Sequence, residues 1–87
     1  MKIPKKLKIG GHIYKVVFQK TALGDDCGAT ERAKGIINID GHLIDSEKEV
    51  TLFHEIFHCI NAELPETEVD WLAQSVYAFL KLNNMLK

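Results

Sequence analysis

The chain has 87 residues with 46% hydrophobic and 26% charged content, which fits one small globular domain spanning 1–87 and excludes a disordered chain. Eleven basic residues face twelve acidic ones, for a net charge of -1, so nothing electrostatic points to nucleic acid. No apolar run approaches the length of a membrane span, and the two cysteines, Cys27 and Cys59, do not make a disulfide framework.

With no apolar signal core at the start, the expected compartment is the cytoplasm. A domain of this size is only marginally stable without help, and a bound metal is one common form of help. The basic opening, residues 1–9, reads as a solvated edge rather than a binding arm.

Residues 7–9 and 12–19 read as two strands around Gly10-Gly11, a good hairpin signal. In the second, Ile13 and Val17 on one face and Tyr14, Val16 and Phe18 on the other are strand formers. Thr21 to Lys34 is polar, carries Gly24 and Gly28, and reads as a loop. Gly35 to Asp40 reads as a third strand, ended by Gly41 and His42.

The strongest helix signal follows. Ser46 and Glu49 have capping-box spacing, and Val50, Phe53, Phe57 and Ile60 recur at helical spacing behind them. Asn61 to Pro65 is a short break, since Pro65 cannot continue the helix. A second helix starts near Glu66, with Val69, Leu72, Ala73, Val76, Phe79, Leu80 and Leu82 as its apolar stripe and Trp71 as a core anchor. The order predicts an α+β fold: a small three-stranded, mostly antiparallel sheet packed on two helices.

The first helix carries His54-Glu55-Ile56-Phe57-His58. Two histidines four apart share one face, about 6 Å apart along the axis, so their imidazoles can converge on one Zn²⁺. Glu55, rotated by one residue, can act as acid and base on a water without being a ligand. The pattern fixes only three positions, so a core helix that happens to carry two histidines is the competing reading. The apolar flanks Leu52, Phe53, Ile56 and Phe57 turn the histidines inward, where an unpaired imidazole is costly and a ligated one is not.

A catalytic zinc needs a third protein ligand and an open position. The downstream candidates are Glu63, Glu66, Glu68 and Asp70. Glu66 is best placed, because it opens the second helix on the face of Val69, Asp70 and Ala73. Glu68 is rotated away by about 200°. Asp70, one turn after Glu66, is placed to hold the far nitrogen of a ligating histidine. An oxyanion donor is not identified. Tyr77 lies about 16 Å along the helix from Glu66 and reads as a core aromatic, which leaves His12, His42 and Tyr14. Cys59 reads as buried packing and Cys27 as a plain loop cysteine.

The run from His54 to His58, followed by Glu66-Thr67-Glu68-Val69-Asp70-Trp71-Leu72-Ala73, resembles the gluzincin pattern: a His-Glu-x-x-His helix and then a helix bearing Glu-x-x-x-Asp. The likeness is nearest to minimal gluzincins and to small phage-borne or prophage-borne zinc peptidases related to the ImmA/IrrE type. The opening from Ile3 to Val16 is similar to theirs as well.

The resemblance implies a zincin-like metallopeptidase domain with Zn²⁺ held by His54, His58 and Glu66, and with Glu55 as the catalytic acid/base. The third strand would line the cleft, and the partner would be a peptide or protein substrate. One departure is the spacing: only residues 59–65 separate His58 from Glu66, fewer than in the larger gluzincins. The alternative function is a non-catalytic zinc-binding interaction module.

Overall fold

In a computed structural model, residues 1–20 and 27–86 are described. The chain forms β1 (Lys6–Ile9), β2 (His12–Gln19), β3 (Gly28–Glu31), a 3-10 turn (Arg32–Lys34), β4 (Ile36–Asp40), α1 (Asp45–Ile60) and α2 (Glu66–Leu82). The class is α+β, as the order of periodicities predicts.

The sheet differs from the expectation. It has four strands in the order β1-β2-β4-β3 and is mixed, not three-stranded. β1 and β2 form the expected hairpin, with Ile9 opposite His12. Gly10 and Gly11 both take positive φ, 57° and 84°, which suits a two-residue turn matching the twist of the strands. β4 runs parallel to β2 and antiparallel to β3. β3 lies inside the stretch expected to be loop; residues 21–26 of that stretch, Gly24 included, fall outside the described residues.

One face of the sheet is covered. Tyr14 and Val16 of β2 and Ile37 and Ile39 of β4 pack with Leu52 and Cys59 of α1. On the opposite face Ile13 and Val17 are exposed. Asn38 on that face is kept satisfied by cross-strand bonds, accepting from Gln19 and donating to Glu31.

α1 lies between the sheet and α2, so it is buried on two sides. Leu52, Glu55 and Cys59 are its buried line, while Phe53 turns to α2, its ring centroid 6.0 Å from that of Tyr77. The expected stripe is correct for half-buried Val50, Phe53 and Phe57 and wrong for Ile60, which is exposed.

The capping box does not form. Ile44 precedes the helix without a side-chain cap, and Glu49 instead accepts a hydrogen bond from the Tyr77 hydroxyl at 2.7 Å. Asp45 and Glu47 in the first turn favour the helix start through its dipole.

On α2, Val69, Ala73 and Tyr77 form the buried line at one-turn spacing. Trp71, expected in the core, is 69% exposed, and Phe79 and Leu82 also face outward. Trp71 sits two residues from both Val69 and Ala73, about 160° round the helix from each at 100° per residue, on the side away from α1. No described helix is long and apolar enough to cross a membrane.

Candidate metal centre

α1 places His54 and His58 one turn apart on the side facing the start of α2. Their ring centroids are 4.7 Å apart, and their Nε2 atoms approach to 3.0 Å. The break between the helices is short but sufficient. Asn61 accepts the Glu63 main-chain N–H through its side-chain oxygen, and Pro65 supplies the carbonyl that receives the Val69 N–H. α2 thus begins beside the histidines.

Glu66 Oε1 lies 2.7 Å from His54 Nε2, and its Oε2 lies 3.0 Å from His58 Nε2. A seven-residue spacing therefore lets Glu66 reach both rings. His54, His58 and Glu66 are the group of potential ligand atoms that meet within 4.8 Å of one another among the described residues.

The donor set can be read chemically. Asp70 Oδ1 lies 2.8 Å from His54 Nδ1. A carboxylate only accepts, so Nδ1 donates to Asp70, and a neutral ring with its proton there would present the Nε2 lone pair inward. That lone pair, the second imidazole nitrogen and a carboxylate oxygen meet edge to edge at 2.7–3.3 Å. A shared cation relieves the crowding of three electron-rich atoms. In a tetrahedral zinc shell with bonds of about 2.0–2.1 Å, the ligand atoms stand about 3.3 Å apart, so the three residues fit such an ion with little movement. Desolvation pushes the Glu66 carboxyl up, but the hydrogen bonds and charges of the two adjoining imidazoles together outweigh it and hold the group below its ordinary range.

Glu55 is not a member of the triangle. Its carboxylate is 5% exposed, and Oε2 stands 3.9 Å from His54 Nε2. Oε1 accepts a hydrogen bond from the Thr30 hydroxyl at 2.7 Å. An open cavity of about 820 Å³ covers the group, with Thr30, His54, Glu55, His58, Glu66 and Asp70 in its wall.

The cavity corrects one expectation. The strand at residues 35–40 does not edge the cleft: as β4 it is paired on both sides, and among the described residues β3 is the outer strand on the cavity side. β3 fits close to α1 because it begins with a glycine. A Cβ on Gly28 would come within 2.6 Å of the Thr51 methyl and 3.3 Å of Glu55 Cγ.

The three residues left open as oxyanion donors lie away from the cavity. His42 bonds the Lys20 carbonyl, His12 opens β2 opposite Ile9, and Tyr14 is buried in the core; none lines the cavity. The one lysine or arginine among its described lining residues is Arg32, just after β3.

Glu63 and Glu68 take no part in the group. Cys59 is buried and Cys27 exposed at the cavity edge, both as free thiols. Sequence reasoning missed Thr30 and the strand that carries it; the only signal was one β-branched residue in a polar stretch.

Comparison with family models, curated proteins and solved structures finds no match to this chain.

Proposed function

We propose that this chain is a zinc-dependent metallopeptidase of minimal gluzincin type. One observation carries the reading: His54 Nε2, His58 Nε2 and a Glu66 oxygen converge, with the Glu55 carboxylate beside them and outside the triangle. In the proposed enzyme His54, His58 and Glu66 hold the ion, and Asp70 fixes the ring of His54. Zinc bound there supplies Lewis acidity, polarising a peptide carbonyl and bringing the pKa of water towards about 7.

The remaining work falls to the chain's own groups. Glu55, buried beside the metal position, holds the proton removed from water at its free Oε2 and delivers it to the leaving amine. β3 offers a row of main-chain groups to an extended peptide, a recognition mode with little dependence on side chains. A cytoplasmic setting is proposed with it, and an origin in a phage or prophage rests on the resemblance.

The alternative, a module that only holds zinc and a partner, gives Glu55 no task beyond its hydrogen bond with Thr30. A carboxylate buried at the floor of a cavity is costly to keep, and a purely structural site has no use for it.

The test is Glu55→Gln. The variant should bind zinc as the wild type does and fold normally, yet lose hydrolysis of an unfolded protein such as casein. Equal cleavage by the variant and the wild type would end the peptidase reading.

A further inference from the structure

We propose that Thr30 is a positioning residue that couples docking of the peptide to the orientation of Glu55, an inference that rests on the peptidase reading above.

The register of β3 gives Thr30 two outlets. Cys27 accepts the Asp40 N–H, and the antiparallel pairing sets Ala29 opposite Asn38 and Thr30 opposite Ile37. Main-chain groups in such a pair point alternately towards the partner and away from it. Cys27, Ala29 and Glu31 therefore bond β4, while Gly28 and Thr30 direct their N–H and C=O outward along the free edge. That edge borders the cavity. An extended peptide laid along it bonds the main chain of Gly28 and Thr30.

The Thr30 side chain points the other way, onto α1. Its hydroxyl donates to Glu55 Oε1 at 2.7 Å, which leaves Oε2 as the oxygen nearer the histidines, 3.9 Å from His54 Nε2. Without that donor the carboxylate is free to turn about its last bond, a broad torsion with no strong preference. Threonine suits the task because its branched Cβ restricts the hydroxyl's direction and favours a strand. The close seat of Gly28 on Thr51 fixes the height of β3 above α1, so the hydroxyl cannot drift from Glu55 without moving the strand. One residue thus holds the substrate by its backbone and the base by its side chain.

The experiment compares wild type, Thr30→Val, Thr30→Ala and Thr30→Ser, each loaded with zinc, on a fluorogenic peptide spanning a site that the wild type cleaves in casein. Zinc content and melting temperature are measured alongside. Loss of the hydroxyl should lower kcat about 10- to 100-fold, the range expected when a catalytic group is misplaced. KM should stay within about twofold, because the main-chain edge is intact. Zinc content should not change, and Thr30→Ser should recover most of kcat. Thr30→Ala is the second arm should valine pack badly and unfold the chain.

Wild-type kcat in Thr30→Val or Thr30→Ala overturns the inference. So does a loss matched by loss of zinc, or one that serine does not restore. A wild type that binds zinc and cleaves nothing overturns the peptidase reading and this inference with it, whereas a cleaving wild type beside equally active variants overturns this inference alone.

Discussion

His54 Nδ1 and Asp70 Oδ1 stand 2.8 Å apart, joining the middle of α1 to the first turns of α2. The contact fixes which nitrogen of His54 carries its proton and so which faces the proposed metal. Asp70→Asn keeps the size and loses the charge. Zinc affinity should fall about 10- to 100-fold, as is typical when such a supporting carboxylate is removed. Asp70 is largely exposed, so the fold should survive. Competition with a chelator of known affinity measures the effect; unchanged affinity would mean that Asp70 does not orient the ring.

Tyr77→Phe tests the helix–helix contact on the far side of the histidines. The variant leaves the buried Glu49 carboxylate without the donor it has at 2.7 Å. A loss of about 1.5–3 kcal/mol is expected for a hydrogen bond to a charged group. Burial, and then the Glu49 carboxylate, push the Tyr77 hydroxyl above its ordinary 10.0. The folded pKa is therefore the higher one. The stability it carries is complete below the unfolded value and is lost as pH rises from there through the folded value. Urea unfolding from about pH 8 to about pH 11 should show the gap between wild type and Tyr77→Phe closing at the alkaline end.

Gly28→Ala should be costly despite its small size. The new methyl meets Thr51 at 2.6 Å and the Asn38 carbonyl at 3.0 Å. Overpacking of this kind costs about 1–3 kcal/mol. Because β3 must lift from α1 to make room, hydrolysis should fall along with the melting temperature. A paired Thr51→Ser change, which removes the nearest methyl, should restore part of both.

The two thiols should separate cleanly. Desolvation raises the Cys59 thiol above its ordinary range, outweighing its hydrogen bonds with Tyr14 and Thr30, and it is only 8% exposed. Cys27 is exposed. At neutral pH an alkylating reagent should label Cys27 alone, with Cys59 reacting only after urea is added, as intact-protein mass spectrometry would show. Rapid labelling of Cys59 in the native protein would contradict the packing of α1 on the sheet.

How much of this was legible in the sequence depended on how many residues carried each signal. Both helices could be read because their apolar residues recur over four turns and Pro65 marks the boundary. The Gly10-Gly11 turn announced the first hairpin.

β3 has four residues, and only Thr30 favours a strand by its side chain, so its register depends on β4 rather than on itself. Missing it put the wrong strand at the cleft edge. The capping-box spacing was present, but Glu49 is engaged by Tyr77, a contact 28 positions away that no local pattern encodes. Size alone argues for Trp71 in the core, but α2 buries only the narrow line of Val69, Ala73 and Tyr77. The histidines and Glu66 came together as expected because helical geometry and one short turn suffice to place them.

Whether the two histidines and Glu66 hold zinc is decided by anomalous diffraction at the zinc edge from crystals grown with one equivalent of the metal. A single peak is expected about 2.0–2.1 Å from His54 Nε2, His58 Nε2 and one oxygen of Glu66, with Glu55 outside bonding distance. A zinc peak elsewhere, or none, with the two imidazoles bonded only to Glu66 and to each other, would contradict this assignment.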